Sequence, residues 1–253
     1  MTRNLGLGVT HFATIDSTNA EAKRQWPIDE LQLPHWYLAD QQTAGTGRRG
    51  RSWASPSGNF SGTVLMVPSG PASEWYKYTY VISLALYDAL LELGVSEDAL
   101  SLKWPNDVLL MGQKIAGILL ETVGQNQPEA MVIGIGVNLA YAPDPNILDE
   151  KALSATSLKD ALGVDVTLER LFVPLQSAFT ARTDQYITHG WPATTADWQA
   201  RCSMIGRAVT YSKGTNATYT GTATGLAEDG ALLVRTAGGI ERVLAGDVKV
   251  REV

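Results

Sequence analysis

Between Gly45 and Arg51 the chain sets three glycines and three arginines within seven residues, Gly-Thr-Gly-Arg-Arg-Gly-Arg, with Trp53 close behind. Glycine lets a backbone bend tightly and come near a ligand, and guanidinium groups offer rigid forks of donors to carboxylate and phosphate oxygens. Gly45-x-Gly47-x-x-Gly50 also has the spacing of the dinucleotide-binding fingerprint. The residues downstream of the loop defeat that reading. The fingerprint opens a helix at its third glycine, but Pro56 and Gly58 stand just beyond and break one. No acidic residue lies between Asp40 and Glu74 to take a ribose hydroxyl. Arginines crowded onto one turn repel each other, so the loop is expected to be mobile until an anion orders it.

Further chemistry-bearing residues come later. Lys103-Trp104-Pro105-Asn106-Asp107 places a cation, a large ring and two side-chain oxygens in five residues, although Pro-Asn-Asp alone is ordinary turn chemistry. Lys114 opens the apolar run Ile115-Ala116-Gly117-Ile118-Leu119-Leu120-Glu121. On a strand, Lys114, Ala116 and Ile118 share one face, and Gly117 permits a close approach. Gly134, Gly136 and Asn138 alternate along another strand. Small residues there leave room for a flat ligand, or simply for close packing.

The elements that must hold these residues alternate up to about residue 200. Thr18 and Glu21 have capping-box spacing at a helix start. Trp36–Ala39 and Thr63–Val67 have strand character, and Glu74–Leu93 carries a helical stripe of Tyr78, Val81, Ile82, Ala85, Ala89 and Leu93 that Gly94 can end. Strands are expected over Val108–Met111, Ile115–Val123 and Met131–Leu139. A second helical stripe, Leu168, Leu171, Phe172, Leu175 and Phe179, contains Pro174, where a kink or break is expected. Thr195–Cys202 is expected as a short helix. From about Gly206 the texture becomes short β-rich runs (Arg207–Tyr211, Ala217–Gly225, Ala231–Thr236, Ile240–Leu244 and Val248–Val253), with Gly-containing turns between several of them.

With 253 residues, 45% hydrophobic and 18% charged, the chain can bury a proper core. A net charge of −6 speaks against a nucleic-acid surface, so a basic loop in an acidic protein points to a small anion held at one spot. Cys202 is the only cysteine, which excludes an internal disulfide and a cysteine–zinc cluster. His11, His35 and His189 lack ligand spacing and are read as surface or packed residues. The first seventeen residues lack a signal-peptide run, and no stretch reaches the roughly 18 apolar residues of a membrane span. A soluble, cytoplasmic protein is expected.

Ser17-Thr18-Asn19, the Gly45–Arg51 loop, Lys103–Asp107, Lys114–Glu121 and Gly134–Asn138, with Thr156-Ser157-Leu158 and the β-rich tail, occur in the order and spacing of biotin–protein ligases, a family the chain resembles over nearly its whole length. The resemblance implies an α+β fold: a mixed β-sheet catalytic domain packed with helices over residues 1–204, then a small SH3-like β-barrel over 205–253. It implies a biotin–[biotin carboxyl-carrier protein] ligase that uses biotin, ATP and Mg²⁺, forms biotinyl-5′-adenylate, and passes biotin to a lysine of the biotin carboxyl carrier domain of a carboxylase. A homodimer is a family expectation. Only about ten residues precede the first family-like segment, so the winged helix of the gene-repressing relatives is not expected.

By the same resemblance, Lys114 contacts the biotin carboxylate and α-phosphate and is the main electrostatic catalyst. Arg48, Lys103 and Asp107 complete the catalytic set. Biotin is assigned to Ser17, Thr18, Asn19 and Gln42, to Gly45, Thr46, Gly47 and Arg48 of the loop, and to Lys114 and Gly117. ATP is assigned to Arg48, Arg51, Trp53, Lys103, Asn106, Lys114 and Asn138, with Trp53 flanking the adenine. Asp107 is the candidate for Mg²⁺ or for orienting the incoming amine. For Thr18, a helix-cap role and a ligand role both stand. The family loop usually carries arginine where this chain has Thr46, so no side-chain role is carried over there. A lipoate-type ligase and a non-catalytic biotin sensor are the competing readings.

Overall fold

The computed structural model describes residues 2–4, 8–27, 32–144, 153–212, 217–244 and 248–250. The strands β1 (Thr2–Asn4), β2 (Val9–Ile15), β3 (His35–Gln42), β4 (Phe60–Met66), β5 (Leu100–Lys103), β6 (Asp107–Leu110), β7 (Gln113–Val123) and β8 (Ala130–Val137) form one sheet in the order β1-β2-β3-β4-β8-β7-β6-β5. Within this sheet β2 and β3 run parallel, and the remaining pairs are antiparallel. This is the expected mixed sheet. Strands β1, β2 and β5 are additions to the sequence expectation.

The two faces of the sheet have different occupants, and β8 makes the division plain. Met131, Ile133, Ile135 and Val137 join the main core beneath α2 (Tyr78–Glu92) and α4 (Leu168–Ala200). The alternate residues Ala130 and Val132 join a small cluster with Ala22, Tyr37 and Leu65, and Ala22 comes from α1 (Thr18–Arg24). Gly134 and Gly136 continue that second face by strand alternation.

Several local expectations are revised. The cap of α1 is Ser17, whose Oγ accepts from the Ala20 amide, so the start lies one residue before the Thr18–Glu21 capping box. Helix α2 follows a 3₁₀ turn over Ala72–Lys77 and is buried on nearly every side, not on one stripe, because it is wedged between the sheet and α4. In α4 the expected stripe is buried, and the backbone break falls at Gly190 (φ 71°) rather than Pro174. Pro192 then lies in the first turn beyond the break, where its missing N–H costs nothing. The expected Thr195–Cys202 helix is the end of this same run. Helix α3 (Leu158–Leu162), capped by Ser157, is an addition.

The C-terminal strands β9 (Ala208–Ser212), β10 (Thr218–Leu226), β11 (Leu232–Thr236), β12 (Gly239–Val243) and β13 (Val248–Val250) make a five-stranded antiparallel sheet ordered β12-β11-β10-β9-β13. Each agrees within a residue or two with its sequence expectation, except that 251–253 of the last run lie outside the described residues. The sheet is tied to the larger unit by Tyr80 Oη donating to Gly230 O (2.6 Å) and by Leu226 N donating to Gln199 Oε1 (2.9 Å).

Candidate active site

A cavity of about 460 Å³ opens on the α1 face of the sheet and gathers nearly all the candidate residues. That volume is ordinary for a small-molecule site. Most of the predicted residues line it, from Ser17, Thr18, Asn19 and Gln42 to Arg48, Arg51, Trp53, Lys103, Asn106, Asp107, Lys114, Gly117 and Asn138. Thr46 and Gly47 line it as well, while Gly45 is buried behind the loop.

The glycine–arginine loop is a small hairpin. Thr46 and Ser52 bridge, Gly47 N donates to Arg51 O (2.7 Å), and Trp53 N donates to Gly45 O (2.9 Å). A β-carbon at Gly45 would sit 2.6 Å from the Trp53 carbonyl, so only glycine lets these backbones pass. Arg48–Gly50 makes one 3₁₀ turn and no helix follows, which removes the dinucleotide reading structurally. The hairpin brings the indole of Trp53 over β8. A β-carbon at Gly136 would lie 2.2 Å from its Nε1, and one at Gly117, the register partner of Gly136, 3.1 Å from its Cζ3. The space left by these glycines is therefore taken first by the protein's own tryptophan.

Lys114 reaches the cavity because of a β-bulge. Leu109 pairs with Lys114 but Val108 pairs with Ala116, so Ile115 is an extra residue. This overturns the expected shared face of Lys114, Ala116 and Ile118: Ile115, Ala116 and Ile118 all enter the main core, and Lys114 is turned to the opposite side. Its backbone is clamped by Ser154 O (2.8 Å) and by the Thr156 amide (3.0 Å). Its Nζ lies 2.6 Å from Asp107 Oδ1 and 5.3 Å from the Trp53 ring centre, within cation–π range.

Around it stands a cationic group. Lys103 Nζ is 3.7 Å from Asp107 Oδ2, and Arg48 Nη1 donates to Asn106 Oδ1 (3.3 Å). Burial, and then the neighbouring Arg49, lower the Arg48 pKa, with Asp107 pulling the other way; a guanidinium stays charged regardless. Asn106 spends its NH₂ on Ile118 O (2.6 Å) and Asn138 spends its own on Thr156 O (3.0 Å), so both amides brace backbone beside the cavity. Asp107 faces two ammonium groups, and among the described residues no group of three or more His, Cys, Asp or Glu could hold a metal ion. In this arrangement the carboxylate is a counter-ion to the two lysines.

A second, uncharged hydrogen-bonding group lies over Gly134. Gln42 Oε1 accepts from Thr18 N (2.8 Å), and Gln42 Nε2 donates to Ser55 Oγ (2.8 Å). The Thr63 hydroxyl is 2.7 Å from Thr18 Oγ1 and 2.6 Å from Asn19 Oδ1. Asn19 Nδ2 donates to Glu121 Oε2 (2.9 Å), whose other oxygen holds Lys23 at 2.6 Å. Asn19 also explains Gly134, where a β-carbon would come within 2.3 Å of its Oδ1. The cap is Ser17, so the helix-cap role left open for Thr18 falls to its neighbour, and Thr18 instead hydrogen-bonds Gln42. Sequence reasoning missed Ser55, Thr63 and Glu121, which do not line the cavity but hydrogen-bond the residues that do. The alternation of Ser61 and Thr63 within the buried strand β4 was the available signal. Val248 and Lys249 of β13 line the cavity too, which nothing in the sequence foretold.

The arrangement can bind a ligand with a neutral polar head and an anionic end, and bring a second anion to the same cations. Residues 11–138 match the Biotin/lipoate A/B protein ligase family, and 204–251 match the Biotin protein ligase C terminal domain. The chain is 40% identical to a biotin–[acetyl-CoA-carboxylase] ligase of Paracoccus denitrificans, covering 94% of this chain and 98% of the relative. It is 34% identical to one from Mycobacterium tuberculosis, covering 93% and 86%. The biotin protein ligase of Aquifex aeolicus in complex with biotin and ATP superposes with a TM-score of 0.81 at 25% identity, over 97% of this chain and 99% of that one. Motifs, fold and cavity agree with these likenesses, and the chain belongs to the biotin protein ligases of the biotin/lipoate protein ligase family.

Proposed function

We propose that this cavity joins biotin to ATP and then to a protein lysine. The observation that carries the reading is one cavity with two unlike groups: uncharged donors and acceptors at Ser17, Thr18 and Gln42, and cations at Arg48, Lys103 and Lys114. Biotin is built the same way, with a neutral ureido head and a carboxylate tail. In the first step a carboxylate oxygen attacks the α-phosphorus of ATP and pyrophosphate leaves. Two anions must meet for this, and Lys114 and Arg48 offset their repulsion and the charge that grows on phosphorus. In the second step a lysine amine attacks the acyl carbon, AMP leaves, and the nitrogen gives up a proton. Mg²⁺ enters as the counter-ion of ATP and thus as part of the substrate.

Asp107 holds Lys114 at the reacting oxygens, and its other oxygen lies toward Lys103. Trp53 gives the adenine one flat wall. The Gly45–Arg51 hairpin closes over the anhydride and keeps water from it. The acceptor is the lysine of a biotin carboxyl carrier domain, as the names of the relatives suggest. The catalytic unit runs to residue 204, and the C-terminal unit from 205 completes one wall through β13.

ATP–pyrophosphate exchange with biotin or lipoate as the acid tests the reading. Exchange should depend on biotin and be far weaker with lipoate. Exchange driven equally by lipoate, or none with either acid, would overturn it.

A further inference from the structure

Thr63 lies in the middle of β4, fully buried, with its hydroxyl between the side chains of Thr18 and Asn19. Counting protons along this contact line fixes its direction. An ionised carboxylate only accepts, so Asn19 presents its NH₂ to Glu121 Oε2 (2.9 Å) and its carbonyl oxygen to Thr63 (2.6 Å). That oxygen also only accepts, and the single Thr63 proton therefore goes to Asn19. The 2.7 Å contact between the Thr63 and Thr18 hydroxyls must then use the Thr18 proton, in preference to the longer 3.1 Å approach of Thr18 Oγ1 to Gln42 Oε1. At the far end, the Thr18 amide faces Gln42 Oε1 at 2.8 Å, which forbids the flipped amide because two donors would meet. Gln42 Nε2 consequently points to Ser55 Oγ with one N–H still uncommitted.

We infer that this relay, Glu121–Asn19–Thr63–Thr18, sets the polarity of the head-group pocket at Thr18. It presents the Thr18 oxygen as an acceptor beside the Gln42 NH₂, which the Thr18 amide orients as a donor, and the pair so selects a cyclic urea over a head with neither N–H nor carbonyl, such as a dithiolane. The inference rests on the biotin reading and deepens it. Thr63 and Glu121 are positioning residues, because they act through Thr18. A site built to hydrogen-bond a substrate rejects an analogue lacking those groups far more strongly than an apolar pocket rejects a misfit, so a threonine with no ligand contact of its own carries much of the discrimination.

The test uses the full chain with Thr63→Val, Thr63→Ser and Glu121→Gln, reading biotin affinity by calorimetry without ATP and, separately, ATP–pyrophosphate exchange. In Thr63→Val the biotin Kd and KM should rise about tenfold, the worth of roughly one hydrogen bond. The kcat at saturating biotin and the KM for ATP should hold, and the preference for biotin over lipoate should narrow. Thr63→Ser should restore all of these. An unchanged biotin Kd in folded Thr63→Val, or an equal rise in the KM for ATP, overturns the relay. If Thr63→Val does not fold by circular dichroism, Glu121→Gln at the solvent-facing end decides: weaker biotin binding supports the relay and unaltered binding overturns it. Failure of the ligase reading is a separate result, namely tight biotin binding without any exchange in the unmodified chain.

Discussion

The indole Nε1 of Trp104 donates to the carbonyl oxygen of Gly230 at 3.0 Å, and the hydroxyl of Tyr80 donates to the same oxygen at 2.6 Å. One carbonyl in a turn of the C-terminal sheet thus receives a bond from the Lys103–Asp107 turn and another from α2. Trp104 is 1% exposed, so the bond forms in a nearly dry environment, and burial raises the Tyr80 pKa, keeping its hydroxyl a donor. Trp104→Phe and Tyr80→Phe should each lower stability by about 1 kcal/mol. The double variant should lose more than the sum, since the oxygen then keeps neither donor. Urea denaturation of the four proteins checks this, and strict additivity would contradict it.

In the proposed mechanism Lys114 is the cation at the reacting atoms, and Asp107 is its counter-ion. Lys114→Ala should cost roughly 10²–10³-fold in biotin-dependent exchange, the usual loss for one transition-state donor. Near-normal exchange would remove it from the mechanism.

Gly136→Ala is a small change with a large steric demand, because the new methyl would fall 2.2 Å from Trp53 Nε1. The indole must leave its place on β8 while the sheet stays intact. Activity should fall on the order of 10²-fold, as for other small misplacements in a site, with a melting temperature close to that of the parent. Trp53→Ala in the same background should then cost little more; a further large loss would show that Gly136 acts on something other than the tryptophan.

Asp16, the residue before the Ser17 cap, is gripped by Arg24 through Oδ1 and Oδ2, both at 2.8 Å. The Arg24 guanidinium, and then the Ser17 amide, hold its pKa down at about 2, against 3.8 ordinarily. A depressed carboxyl stabilises the fold above its unfolded pKa, and the contribution disappears as pH falls from near 3.8 through about 2. The pair is exposed, so the effect is small. Carboxyl NMR should place this midpoint near 2 in the native protein, and Arg24→Gln should return it toward 3.8.

Much of the site was legible in the sequence because its chemistry is concentrated in short runs: Gly45–Arg51, Lys103–Asp107 and Gly134–Asn138 each appear in the cavity they suggested. The C-terminal strands were legible too, since alternating β-branched residues between Gly turns leave few alternatives. What escaped was whatever depends on a partner distant along the chain. Thr63 is a plain strand residue until Thr18 and Asn19 arrive beside it, from 45 and 44 residues away. Tertiary burial hid the nature of α2, whose polar face is absent because α4 covers it. The ion pairs of Asp107 also escaped, because a lone carboxylate says nothing of the two lysines that fold against it.

The extra residue at Ile115 has a consequence for how this protein can vary. Strand alternation is a parity rule, and the bulge changes parity once, between Lys114 and Ala116. Paired regularly with every residue kept, the strand would send Lys114 to the face of Ala116 and Ile118 in the hydrocarbon interior and offer the cavity Ile115 instead. The bulge is therefore under tighter constraint than the identity of the residue in it: Ile115→Val should be tolerated, with Lys114 still on the cavity side.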